Sequence, residues 1–168
     1  MTILKETSLG VFYFVIATIL RDTILLSSML LNIEVAFGLT ASDMKKLEMT
    51  DRILLRRVLS TGRSTPVCSI FLELGLIPPS FIIKARKIMY LHYLLTLDQS
   101  QLLYKIFDAQ RRSPVKNDWY IRVKSDLEEF GLIMDDDEIK IIKKATFKEQ
   151  VKQACKQSAF NYLLKEKI

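Results

Sequence analysis

The sequence predicts an all-α fold, an irregular bundle of about eight helices. Three observations predict it. No stretch sustains the apolar–polar alternation of a half-buried strand. Only five glycines and four prolines occur in 168 residues, few for the turns of an all-β protein. Each of eight segments carries its own helix start and stop signals. By length the chain is a single helical domain, residues 1–168, or a fragment of a larger one. It reads as an apolar helix and a second helix (8–60), a central helical hairpin with a fifth helix (64–112), and basic C-terminal helices (113–168).

The first segment, residues 8 to 37, is apolar nearly all round, so it should be buried among other helices. Its longest charge-free run, Thr7 to Leu20, has 14 residues before Arg21-Asp22 interrupts. That falls short of the roughly 20 residues that cross a bilayer. Lys5 and Glu6 together in the leading region argue against a cleaved signal peptide. An isolated chain of this size offers the helix few neighbours, which points to a partner against residues 9–37. Gly38 closes the helix.

Thr40 and Asp43 have capping-box spacing, and the second helix runs to about Ser60. Leu47, Asp51, Leu54, Leu55 and Val58 alternate with Lys45, Lys46, Arg52, Arg56 and Arg57, leaving a basic C-terminal end. A polar turn carries Arg63. Pro66 suits the first turn of a short helix, and Gly75 suits the residue after it. Pro78-Pro79 forbids continuation, and Ser80 can cap a long helix to about Leu95. On that helix Phe81, Ala85, Ile88, His92 and Leu95 form an apolar stripe. Arg86, Tyr90 and Tyr93 line a different strip, which suits nucleic acid and also suits a second packing face. His92 reads as a satisfied core histidine.

Asp98 with Gln101 caps the fifth helix, on which Leu102, Leu103, Ile106 and Phe107 face inward. The loop after it holds Arg111, Arg112, Pro114, Lys116 and Trp119, the last as a contact for nucleic acid or as a packed anchor. Asn117 or Asp118 caps a sixth helix through Phe130, closed by Gly131. Asp135, Asp136, Asp137 and Glu138 then precede a short helix, where acidic residues suit the helix dipole. Thr146 with Glu149 opens the last helix, with Phe147, Val151, Ala154, Cys155, Ser158 and Tyr162 as its core stripe. Lys144, Lys148, Lys152 and Lys156 recur every four residues on its exposed side.

Charge is uneven. Residues 1–50 hold four Lys/Arg against five Asp/Glu, and residues 51–168 hold 21 against 14, within a net +6. The later part therefore favours an anionic partner, nucleic acid or a membrane surface. Cys68 and Cys155, 87 residues apart, with one histidine, build no zinc site and fit a reduced intracellular protein. There is no Gly-rich phosphate loop and no Ser–His or Cys–His pairing, and Glu34 and Glu73 stand singly. On its own the chain reads as no enzyme, with no catalytic or metal-binding residue and no cofactor.

Over residues 23–131 the order of motifs, with the run that leads into it, resembles the region after the polymerase palm in LINE-type (non-LTR) retrotransposon reverse transcriptases. The resemblance rests on Leu20-Arg21-Asp22-Thr23, Asn32-Ile33-Glu34-Val35, Gly38-Leu39-Thr40, and Leu47-Glu48 with Asp51 and Leu54-Leu55-Arg56. It continues at Ser64-Thr65-Pro66, Leu72-Glu73-Leu74-Gly75, Pro78, Phe81-Ile82-Ile83-Lys84, Arg86 and Tyr90-Leu91-His92-Tyr93. Ala109-Gln110, Pro114 through Trp119, and Asp126-Leu127-Glu128-Glu129 complete it. The chain departs at Val67 and Cys68, where that family tends to have charged residues. The resemblance implies a thumb or post-thumb piece that grips RNA or an RNA/DNA duplex, inside the cell in cytoplasm or nucleus. The Mg²⁺-binding aspartates of such a polymerase would belong to a palm that this sequence lacks, and that missing domain is a candidate partner for residues 9–37.

The expected contacts are Arg56, Arg57, Arg63, Arg86, Arg111, Arg112, Lys116 and Arg122, with Tyr90 and Trp119 as stackers. The alternatives are a protein-interaction or membrane-surface helical module, and a non-functional truncated element.

Overall fold

A computed structural model describes residues 15–16, 18–33, 40–62, 64–115 and 118–166 of the chain. Of these residues 77% are helical, and no strand occurs among them. A π-helical turn, Leu20–Leu25, runs directly into the short helix Leu26–Met29 (α1). Seven more helices follow: Ala41–Val58 (α2), Val67–Leu74 (α3), Pro79–Thr96 (α4), Leu102–Arg112 (α5), Trp119–Glu129 (α6), Asp136–Ile141 (α7) and Lys144–Glu166 (α8). The expected all-α fold is thus the observed one. The start of the first helix, its closure at Gly38, and Arg63, Lys116 and Asn117 lie outside the described residues.

Local chemistry sets most of the boundaries. At α2 the capping box forms: Asp43 N–H donates to Thr40 Oγ1 (3.2 Å) and Thr40 N–H to Asp43 Oδ2 (3.0 Å). Asp135 and Glu138 make the same reciprocal pair at α7, at 2.7 and 3.0 Å. Two of these N-terminal donors that a helix cannot satisfy itself are therefore paired at each of the two starts. At the other ends Gly75 (φ 62°) and Gly131 (φ 69°) take the left-handed conformation that ends a helix. Leu76 N–H then reaches the Phe71 carbonyl, and Leu132 N–H the Leu127 carbonyl, both at 2.9 Å. The same six-to-one bond closes α2, from Thr61 N–H to the Arg56 carbonyl (3.1 Å), but there a serine, Ser60, holds φ 51°.

Several expected starts move. The fourth helix begins at Pro79 instead of after Ser80, because the proline ring already fixes a helical φ at its first position. Ser80 lies inside it, and its hydroxyl donates to Glu48 Oε1 (2.6 Å). Asp98 accepts from Ser100 N–H (2.7 Å) in a tight turn, so α5 starts later, at Leu102, without a side-chain cap. On α5 only Phe107 is buried; Leu102 is 74% exposed, and Leu103 and Ile106 are also open to solvent. α8 begins at Lys144, where Phe147 N–H already bonds the Lys143 carbonyl (3.0 Å), so Thr146 is interior and caps nothing. Its buried stripe is Phe147, Val151, Cys155, Ala159 and Leu163, a strict four-residue spacing that leaves Tyr162 exposed.

The described residues gather into two compact units. The first takes residues up to 31, 40–80 and 160 onward. Its core is Leu55, Cys68, Ile70, Phe71, Leu76 and Leu163, with Leu59, Val67, Leu72 and Leu74 packed around it. The end of the chain joins this unit because Leu163 fills that cluster.

One ion pair is buried in the same unit. Arg21 is 2% exposed and Asp51 0%. Arg21 Nε donates to Asp51 Oδ1 (2.8 Å) and Nη2 to Oδ2 (2.9 Å). Nη2 also reaches the Ile77 carbonyl (2.5 Å), Nη1 reaches Asp22 (3.2 Å), and the guanidinium lies 5.6 Å from the centre of the Phe71 ring. Arginine suits such a place because its planar fork satisfies several acceptors at once.

The second unit takes residues 32–33 and 81–159 among those described. Phe81 stacks on Phe130 (6.3 Å between centroids) and His92 on Phe147 (4.9 Å). His92 Nε2 is 3.0 Å from the Ile142 carbonyl, which makes it the satisfied core histidine that the apolar stripe implies. The Cys155 thiol meets the Phe81 carbonyl (3.5 Å), and burial pushes it up to about 11.

Asp51→Ala is expected to cost about 3–5 kcal/mol, since it strands a buried guanidinium. The double variant Arg21→Met with Asp51→Leu should recover most of that loss. Urea unfolding of the three chains checks this, and equal losses in the single and double variants would refute it. Ser60→Gly should add about 0.5–1 kcal/mol, because glycine tolerates the left-handed position that strains a serine; a higher melting temperature is the readout.

Candidate nucleic-acid interface

The cations that the sequence singles out divide between the two units. In the first, Arg56 sits near the end of α2 and donates through Nη2 to the Thr65 carbonyl (2.9 Å). It therefore ties down the loop leading to α3. Arg57 beside it is exposed. Arg63 is outside the described residues.

In the second unit α5, α6 and α7 converge on Asp136. Its Oδ2 accepts from the Tyr120 hydroxyl (2.8 Å) and from Arg111 Nη1 (3.3 Å), and Lys124 Nζ stands 2.7 Å from Oδ1. Burial alone would raise this carboxyl, but Lys124, Tyr120 and Arg111 outweigh it and hold it below the usual carboxylate range. Arg111 also pairs with Asp108 (3.1 Å). Burial disfavours its charge, and the Asp136 and Asp108 hydrogen bonds more than restore it. The guanidinium of Arg111, expected as a backbone contact, is instead engaged by two carboxylates and ties α5 to α7. Arg112 pairs with Asp108 as well (2.7 Å), yet it remains 76% exposed, and such surface pairs are weak.

Trp119 is corrected likewise. It is 4% exposed, with Tyr90 edge-on to it at 5.8 Å. A buried indole at the first residue of α6 anchors that helix and offers no face to a base, so the anchor reading of the two is the observed one. Tyr90 also touches Tyr93 (5.7 Å) and is half-buried, so the strip of α4 is partly a packing face. Lys116 is outside the described residues.

Arg86 and Arg122 are half-buried on α4 and α6. Around Arg122 lies a cluster that the sequence does not reveal. Lys87 is 8% exposed, and burial lowers its ammonium from the usual value while Asp126 opposes the shift. Asp126 is pushed up to about 6 by burial, against the pull of Lys84 and Lys87. Lys84 Nζ lies 2.6 Å from both oxygens of Glu129.

The lysines of the last helix contrast with these arginines. Lys144, Lys148, Lys152 and Lys156 are all exposed, as are Lys140 and Lys143 just before them. The four-residue repeat was the sequence signal for this surface. Among the described residues no group of three His, Cys, Asp or Glu residues could hold a metal ion, and no single helix is long and apolar enough to cross a membrane. A cavity in the first unit, lined in part by Glu48, Arg52, Cys68 and Tyr162, has a volume of about 10 Å³, room for about one water and not for a nucleotide. Compared with known proteins, the chain matches no family model, no curated protein and no solved structure.

The Asp126 carboxyl makes stability depend on pH. Its folded value is raised above the unfolded one, so the unfolded chain gives up this proton first and stability falls as pH rises from about 4 to about 6. With the open side of the group screened by water, the loss between pH 4 and pH 7 should be about 1–2 kcal/mol. Asp126→Asn should remove that component, and urea unfolding at several pH values compares the two chains.

Proposed function

We propose that this chain is a helical nucleic-acid-gripping segment of a retroelement reverse transcriptase, with nucleotide addition and its Mg²⁺ belonging to a polymerase palm elsewhere. It binds RNA or an RNA/DNA duplex through backbone phosphates, inside the cell, and is no enzyme by itself. The observation that carries this reading is the ordered run of motifs from Leu20 to Glu129 that resembles the post-palm region of LINE-type polymerases. Within that run Arg21, Asp51 and Gly75 hold the first unit together, as motif residues of a helical clamp would. Arg57, Arg86, Arg112 and Arg122 supply phosphate contacts, and Tyr90 supplies a stacking ring.

A second reading is favoured by one observation: Val15, Ile19, Ile24 and Leu31 are exposed before α2, as on a helix that docks against another protein. The two readings separate in solution. Anisotropy of a labelled 20-nucleotide RNA and of an RNA/DNA hybrid should report binding whose log–log salt slope is roughly −0.7 to −0.9 per contact. Arg57→Gln should shallow the slope by about one contact. No binding to either probe at low salt overturns the nucleic-acid reading.

A further inference from the structure

The predicted arginines and the lysines of the last helix differ in how their charge is used. Arg111 and Arg112 face Asp108 and Asp136, Lys84 faces Glu129, and Arg56 holds a carbonyl. From Lys140 to Lys156 six exposed lysines accompany a single acid, Glu149. Among the described residues Lys152 alone of the six has an ion-pair partner, Glu149, at 4.0 Å with both side chains 58% exposed.

Geometry turns this excess into a line. Lysines four residues apart stand about 6 Å apart along the axis, so Lys144 to Lys156 spans about 18 Å. One strand of a duplex presents a phosphate about every 3.4 Å of axis, so the row faces about five of them. Each neighbouring pair of lysines repels the next in the absence of a counter-charge. The row turns by about 40° at each step and so forms a ridge inclined to the axis. The buried stripe beside it, Phe147 to Ala159, drifts with it at the same four-residue spacing and keeps the lysines on the solvent side.

We infer that the lysine row of α8, extended by Lys140 and Lys143, is the principal phosphate-binding surface of this protein and carries more of the affinity than the arginines. The inference rests on the nucleic-acid reading above and names its surface. The test uses the full chain with the labelled 20-nucleotide RNA, comparing the parent with the quadruple variant Lys144→Gln, Lys148→Gln, Lys152→Gln and Lys156→Gln, and with the four Lys→Arg changes. Glutamine keeps helix propensity, so circular dichroism and melting should match or exceed the parent. The glutamine variant should bind at least about tenfold more weakly, with its salt slope shallower by about 3, while the arginine variant binds like the parent. If the parent binds and the folded glutamine variant keeps its slope, the row is not the surface, although the nucleic-acid reading stands. If the parent binds no RNA, and floats with phosphatidylserine vesicles through these lysines instead, both fall.

Discussion

The buried pair of Arg21 and Asp51 is the constraint on which the first unit depends. Two opposite charges removed from water are costly unless their hydrogen bonds are complete. Here two guanidinium nitrogens meet the carboxylate side-on, and the remaining donors find Asp22 and the Ile77 carbonyl. One side chain thereby fixes the π-helical turn against α2 and against the corner after α3. Hydrophobic packing within the cluster of Leu55, Phe71 and Leu163 tolerates small shifts, whereas this geometry does not. The pair selects one arrangement of helices that the apolar residues alone leave loosely defined.

Much of the fold was legible because the signals were local. Thr40 with Asp43, Gly75 and Gly131 act within one turn of their own position, so their sequence spacing was enough to mark helix ends. The errors came where two local signals competed. Ser80 and Thr146 both look like caps, but Pro79 and Lys144 extend their helices by a turn or less, and no sequence rule ranks the competitors. Burial was harder. Leu102 and Ile106 have the periodicity of a core face, yet whether a face is covered depends on which helices arrive there, and that is non-local. The Arg21–Asp51 pair had a signal in hindsight: a carboxylate on the apolar face of α2 and a cation within an apolar run each need a partner, and each supplies what the other lacks. The pairing itself joins residues 30 apart and could not be read from either segment.

The candidate surface follows the same division. Residue type marked the cations, but their availability depends on partners brought from other helices. Asp136 shows why: a single carboxylate at the start of α7 gathers Arg111, Lys124 and Tyr120, turning what looked like a recognition loop into an internal brace. The lysines of α8 escape this because their helix turns its only regular apolar stripe inward and meets almost no acid on the opposite side. Charge that folding has not consumed is what remains for an anionic polymer.

The corner between α3 and α4 is a short connection, the kind of segment in which insertions are usually tolerated, yet here Leu76, Pro78 and Pro79 are buried. Gly75 ends one helix, Pro79 begins the next, and the Ile77 carbonyl between them accepts from Arg21. A residue added or lost anywhere from 75 to 79 would carry that oxygen out of reach of the guanidinium. The length of this loop is therefore under the same physical restraint as a core side chain.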